Sequence, residues 1–362
     1  MLRIAEDCAK LGHTVTIYTG QWRGDKPKGN IDVQILTSKG WLNHQRHQSL
    51  IDAMQAAIKT KPVDLIVGFN RMTGLDVYYA ADPCFIARAY EEKNWFYRLS
   101  SRFRFFRNSE KAVFGTQSDC RILLLTERDK AVFQQWYQTP DARFYVLPPN
   151  IPADKFAGKD RRNSRSYLRE QFGLPQHANV VLTVGSAYLR KGVDRAVIAL
   201  ASMPDAIKNN TWLIAVGEHE SNNTFLQDAK KLGVAERCIL AGGRSDVADL
   251  MLGADLLAHP ARSELAGLVI IEAMTAGLPV LVTEICGYAY HVATANAGMV
   301  IDMPFDQLKF NQVFLEMLVS SQKELWSKNG LEYTLKLMHE NEGSVEANIL
   351  IELATRKKSQ AI

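Results

Sequence analysis

Ser263-Glu264-Leu265-Ala266-Gly267-Leu268-Val269-Ile270-Ile271-Glu272-Ala273-Met274-Thr275-Ala276-Gly277-Leu278-Pro279-Val280-Leu281-Val282-Thr283 reads as loop, helix, loop and strand. The helix starts near Gly267. Gly277-Leu278-Pro279 stops it, with Gly just past its end and Pro soon after. The apolar run Asp255 to Ala258 reads as the buried strand before it, and Pro279 to Thr283 as the strand after it. Two carboxylates bracket the helix start, Glu264 just before it and Glu272 inside it. A helix N-terminus presents free N–H groups and the positive end of the dipole, so it attracts anions. Two glutamates there suit a ligand that carries phosphates for the N–H groups and hydroxyls for the carboxylates. A sugar nucleotide has both.

Outward from this stretch, strand and helix alternate. Val180 to Val184, Trp212 to Val216, Cys238 to Leu240, Val280 to Val282 and Met299 to Ile301 read as further strands of the second half. In the first half, residues 2–11 read as a helix closed by Gly12. Thr14 to Tyr18, Ile31 to Leu36, Asp64 to Gly68 and Arg121 to Thr126 read as strands, with helices over 44–59 and 127–137. Such alternation predicts parallel sheets with helices on both faces, an α/β fold. The Pro-rich break Leu147-Pro148-Pro149-Asn150-Ile151-Pro152 divides the chain. The expected parts are a first domain over 1–149, a second over 150–305 and terminal helices over 306–362.

Composition sets bounds. The chain has 362 residues, room for about two ordinary domains. It is 47% hydrophobic and 23% charged, a soluble globular profile. A net charge of +4 is too small by itself to argue for nucleic acid. The five Cys residues form no C-x-x-C, which speaks against a zinc site or disulfide framework and suits a reducing cytoplasm. No run approaches the roughly 20 apolar residues of a membrane span. There is no G-x-G-x-x-G, G-K-[ST], H-E-x-x-H, G-x-S-x-G or D-x-D.

Glu264, seven residues and Glu272 resemble the E-x7-E motif of the retaining glycosyltransferases of family 4. The resemblance implies the GT-B fold, two Rossmann-like doubly wound domains facing a cleft. In that family the first Glu contacts the transferred sugar and the second the ribose. Thr183-Val184-Gly185-Ser186-Ala187-Tyr188-Leu189-Arg190-Lys191-Gly192 resembles the family's G-x5-K-G loop. The resemblance implies that Gly185, Arg190 and Lys191 hold the diphosphate and that Ala266, Gly267 and Leu268 approach the donor. Lys191 would act as a point charge and Arg190 as a planar donor, stabilising charge on the leaving UDP. Many members carry Arg directly after the first Gly, where this chain has Ser186.

The same resemblance makes Arg244, in Gly242-Gly243-Arg244-Ser245-Asp246, a ligand near the uracil and phosphate. It puts Lys155 in the linker to the donor site. It gives Asp82, in Tyr78-Tyr79-Ala80-Ala81-Asp82-Pro83, a place facing the sugar, where it would orient the acceptor hydroxyl or stabilise an oxocarbenium ion. Cys286-Gly287-Tyr288-Ala289-Tyr290-His291, Val67 to Tyr78 and Leu147-Pro148-Pro149 match a subgroup that glucosylates the heptose region of lipopolysaccharide core. The implied reaction moves glucose from UDP-glucose to an inner-core heptose with retention, without a metal or other cofactor. Family members carry about twenty further residues at the start, a strand and a Gly-Gly loop, so the first domain is expected to lack its opening strand. A UDP-sugar 2-epimerase of the same fold and a non-catalytic UDP-sugar-binding protein are the alternatives.

Residues 88–111 hold seven Lys or Arg against three Glu, a surplus equal to the net charge of the whole chain. On one helix, Trp95, Leu99, Phe103 and Phe106 would form an apolar stripe beside Arg98 and Arg102. A basic, aromatic, amphipathic helix suits an anionic membrane surface. The expected partners are a UDP-sugar, a lipid-linked core oligosaccharide and that surface, at the cytoplasmic face of the inner membrane, with no nucleic acid.

Overall fold

Trp212 to Val216 carries no charged or strongly polar side chain, and a strand covered on both faces needs such a run. The computed structural model of the chain, which describes residues 1–151, 153–218, 222–341 and 343–360, buries all of Thr211–Val216 in the interior of a parallel sheet. Pro152 of the expected linker and residues 342, 361 and 362 of the terminal stretch lie outside the described residues. The strands are β1 (Val15–Thr19), β2 (Ile31–Ile35), β3 (Val67–Gly68), β4 (Val77–Ala80), β5 (Arg121–Leu124) and β6 (Phe144–Val146) in the first half. The second half has β7 (Asn179–Val184), β8 (Thr211–Val216), β9 (Cys238–Gly242), β10 (Leu256–His259), β11 (Val280–Thr283) and β12 (Gly298–Ile301).

One compact unit spans Pro149–Glu340. Its six parallel strands run β9-β8-β7-β10-β11-β12. Counted within the unit, that is 3-2-1-4-5-6, the doubly wound order in which ligands bind where the winding reverses. The reversal falls between β7 and β10. Alternation along the strands makes two cores. Val180, Leu182, Ile214, Leu257 and Val282 pack with the Leu268–Thr275 helix on one face. Val181, Leu213, Ala215, Ala258 and Leu281 pack on the other.

The other unit comprises Met1–Pro148 and Asn341–Ile362. Here β2-β1 and β3-β4-β5-β6 form two separate parallel sheets. A groove of about 490 Å³, lined among others by Ile4, Ile17, Leu65, Val67, Phe69 and Leu350, lies beside β1 and β3. The 306–362 stretch is divided between the units. The Gln307–Val319 and Lys323–Glu340 helices belong to the second. The Val345–Gln360 helix belongs to the first, where Leu350 and Leu353 join Ile4, Val77 and Leu123. Arg3 pairs with Glu346, and the Lys357 Nζ lies 2.7 Å from both Asp76 carboxylate oxygens.

Two strands, β4 and β6, go beyond the sequence expectation. They have only four and three residues, and β6 runs straight into the Leu147-Pro148 break. Another element corrects it. Residues 95–107 are not one helix. A 3-10 turn, Trp95–Leu99, ends at Ser100, whose extended backbone and side chain cap a new helix, Ser101–Phe114. The cap bond is Phe103 N–H to Ser100 Oγ at 3.1 Å. Phe103 turns inward to 3% exposure, while Trp95 and Leu99 remain 59% and 64% exposed, so the single stripe does not exist.

A buried arginine ties the second unit together. Arg169, on the Arg161–Gln171 helix, is fully buried. It donates to the carbonyls of Gln176, Ala178 and Gly253 at 3.1, 2.6 and 2.8 Å and pairs with Asp255 at 2.9 Å. Asp255 also accepts the Val180 N–H at 2.8 Å and pairs with Arg165. The network joins that helix to the starts of β7 and β10.

Candidate active site

The loops that leave β7 and β10 lie together at the winding reversal. Gly192 makes this contact possible. Its φ is +71°, and a Cβ there would lie 1.9 Å from the Pro260 carbonyl oxygen. Around it, Arg262 N–H donates to the Arg190 carbonyl at 2.8 Å. The Arg262 guanidinium holds Asp194 by two bonds of 2.7 and 2.6 Å and the Leu189 carbonyl at 2.7 Å. Arg195 donates to the Pro260 carbonyl at 3.0 Å.

This clasp brings Lys191 onto Glu264. Their side chains form an ion pair, each only 13% exposed. Arg190 stands 3.8 Å from the same carboxylate and donates to the Ser263 carbonyl at 3.3 Å. The buried His259 ring lies behind, its Nε2 3.5 Å from Glu264 Oε2. Burial alone would raise the Glu264 pKa. His259 and Lys191 outweigh it and hold the carboxyl at about 2, so Glu264 is an anion at any physiological pH. Burial pulls the His259 pKa down despite the opposing pull of Glu264, so its ring is neutral. Gly185, at φ +135°, leaves room for the Lys191 stem; a Cβ there would meet Lys191 Cε at 3.0 Å.

The Leu268–Thr275 helix opens at Gly267, φ +90°, with no side chain capping its first turn. Its first N–H groups therefore remain available to a ligand. The stretch before it is braced by Cys286-Gly287-Tyr288: Tyr288 N–H donates to the Ala266 carbonyl at 2.7 Å, and Glu264 bridges to Cys286. Glu272 accepts from Lys155 Nζ at 2.8 Å.

The structure thus brings Gly185, Arg190, Lys191, Glu264, Ala266, Gly267 and Leu268 to the β7–β10 reversal and joins Lys155 to Glu272. It engages Arg244 otherwise. That guanidinium binds Asp246 by bonds of 2.7 and 2.6 Å and lies over the Phe172 ring. Asp82 belongs to the other unit, exposed after β4, with its carbonyl accepting from Arg71 at 2.8 Å. Sequence reasoning missed the clasp residues Asp194, Arg195 and Arg262, and His259. Their partners are remote in sequence, and only the run Leu256 to His259, a polar residue closing a buried strand, hinted at the last. Among the described residues no group of three His, Cys, Asp or Glu side chains could hold a metal. No helix among them is long and apolar enough to cross a membrane.

Comparisons with known proteins bear on the family and the fold. Residues 164–331 match the family model of glycosyl transferases group 1. The chain is 43% identical to the lipopolysaccharide glucosyltransferase WaaG of Escherichia coli K12, over 92% of this chain and 88% of that protein. The crystal structure of WaaG, described as a glycosyltransferase involved in lipopolysaccharide biosynthesis, superposes with a TM-score of 0.87 at 41% identity, covering 96% and 94% of the two chains. Anabaena HepE, crystallised with UDP-glucose, shares the fold at 17% identity and a TM-score of 0.66, covering 96% of this chain and 99% of that one. Nothing in these matches supports the epimerase alternative. The fold is GT-B, and the chain belongs to the WaaG family of group 1 glycosyltransferases.

Proposed function

We propose that the chain transfers glucose from UDP-glucose to a heptose of the lipopolysaccharide inner core, with retention of configuration. One observation carries the reading: Lys191 and Glu264 meet beside an uncapped helix start whose helix also holds Glu272, at the reversal of a doubly wound sheet. The name of the E. coli relative supports the acceptor class. In this reading Gly185, Arg190, Lys191 and the N–H groups at Ala266, Gly267 and Leu268 take the diphosphate. Glu264 accepts from hydroxyls of the glucose, and Glu272, with Lys155, takes the ribose. Arg244 serves the uracil side once it leaves Asp246. Asp82 serves the sugar or acceptor from the first unit. As the glycosidic bond breaks, negative charge gathers on the departing UDP, and the fixed side-chain cations stabilise it without a metal. The test is transfer by the full chain from UDP-glucose to a heptose-terminated core acceptor. An α-linked product is expected. Binding of UDP without transfer, or consumption of UDP-glucose independent of acceptor, refutes the reading.

The lipid-linked acceptor calls for a chain that works at a membrane surface. We place that contact at residues 88–111, on the cytoplasmic face of the inner membrane. Trp95 and Phe96 stack at 3.8 Å and are 59% and 63% exposed, with Lys93, Arg102, Arg104 and Arg107 exposed nearby. Glu110, one of the segment's three acids, is buried against Arg71, and the exposed residues of the segment keep a basic surplus. Each Lys or Arg near an anionic surface contributes ~1 kcal/mol. Reversing these four charges is therefore expected to lower binding to phosphatidylglycerol vesicles by at least ~10²-fold at low salt. Unchanged co-sedimentation would remove the segment from the membrane contact.

A further inference from the structure

His259 closes β10 and pairs in register with Val282 of β11. Alternation along the strand turns its ring to the same face as Leu257, toward the Leu268–Thr275 helix. It is 1% exposed. Its Nε2 is buried with no hydrogen bond closer than the 3.5 Å approach to Glu264 Oε2. A polar nitrogen so placed is costly unless something uses it, since a buried donor without a partner has given up its hydration with no bond in return. An apolar residue would fill this position in a strand otherwise made of Leu256, Leu257 and Ala258. The carboxylate of Glu264 lies 3.5 Å from this nitrogen, with Lys191 on the same oxygen.

The reason for such a donor lies in what happens to Lys191, and here the argument rests on the proposed donor site. Lys191 holds Glu264. With UDP-glucose bound, the diphosphate draws Lys191 away, and Glu264 loses its ion-pair partner at the moment it must accept hydroxyls of the sugar. Arg190 cannot substitute in the same fixed way, because it is half exposed and 3.8 Å distant. The neutral imidazole donates one N–H. It stands on a central strand and cannot follow the phosphate. The geometry points to His259 as a positioning residue, a fixed donor that keeps Glu264 aimed at the transferred sugar after Lys191 has turned to the diphosphate.

Two variants of the full chain, His259→Leu and His259→Gln, test this, each also in a Glu264→Ala background. Transfer rate, KM for UDP-glucose, melting temperature and the affinities for UDP and UDP-glucose are read. Leucine keeps the volume without the donor, and glutamine restores an N–H at a comparable reach. His259→Leu is expected to cut kcat by about tenfold or more, the loss of one hydrogen bond to a charged group. UDP affinity should hold within about twofold, and the preference for UDP-glucose over UDP should fall, because only the sugar is affected. His259→Gln should recover most of both. In the Glu264→Ala background His259→Leu should add almost nothing, since the two residues act as one unit. Wild-type kcat and selectivity in His259→Leu, equal losses in the Leu and Gln variants, or additive losses in the double variant overturn the proposal. If Glu264→Ala itself leaves transfer and sugar preference intact, the donor-site reading fails and this inference with it.

Discussion

Lys191→Ala is expected to lower turnover by about 10²–10³-fold, the usual cost of one group that stabilises charge in the transition state. The side chain is nearly buried, its stem passes within contact distance of Gly185, and the clasp between the two loops brings its ammonium onto Glu264. Little water can replace it there. Arg190 stays, but it lies half in solvent and is spread between Ser263 and Glu264. The variant has a second defect. Lys191 is one of the groups that hold the Glu264 pKa at about 2, so its loss lets that pKa rise and frees the carboxylate to repel the diphosphate. UDP affinity should therefore fall together with kcat. Lys191→Arg should retain part of the activity, because the charge survives while the compact ammonium does not. Steady-state transfer and calorimetric titration with UDP measure both effects. Wild-type values for both in a folded Lys191→Ala protein would exclude this lysine from the donor site.

Arg169→Met is expected to destabilise the second unit by about 3–5 kcal/mol, the range for breaking a buried ion pair by removing one partner. Methionine fills much of the volume but leaves the carbonyls of Gln176, Ala178 and Gly253 without their donor and Asp255 with one cation fewer. Domains hold only about 5–15 kcal/mol in total, so such a loss brings the unit close to unfolding. Urea titration followed by a fluorescence or circular dichroism signal of the second unit reads it directly. A midpoint unchanged within error would mean that the network contributes nothing net. Because Asp255 and Val180 stand at the starts of β10 and β7, the same variant should also loosen the loops at the far ends of those strands.

The sheet of the second unit was legible because its strands are continuous apolar runs and its breaks carry Gly and Pro. Val180 to Val184, Trp212 to Val216 and Val280 to Val282 all lie within observed strands. The helix start at Gly267 and its stop at Gly277 were legible for the same local reason. β4 and β6 were not, because runs of four and three residues carry too few repeats to show a period. The Trp95–Arg107 stripe misled because helical spacing is satisfied on paper whether or not a cap intervenes, and Ser100 intervenes. In the site, the two carboxylates and Lys191 could be found from spacing. The pairing of Lys191 with Glu264 could not, since 73 residues separate them and only the sheet order brings β7 beside β10. Arg244 shows the converse: an arginine in a glycine loop reads as a ligand, while its guanidinium is held two residues away by Asp246.

The close approach of Gly192 to the Pro260 carbonyl has a further consequence, one for engineering. The cationic loop and the acidic loop are fastened at several points: Gly192 on Pro260, Arg262 on Leu189, Arg190 and Asp194, and Arg195 on Pro260. They are a single rigid insert rather than two adjustable jaws. Swapping residues 185–192 alone for those of another glycosyltransferase would carry in a loop cut for a different counterpart, and the Lys191-to-Glu264 spacing would go with it. A graft meant to change the sugar accepted must move residues 185–195 and 259–264 as one block, or leave both in place and work from Ala266 to Leu268.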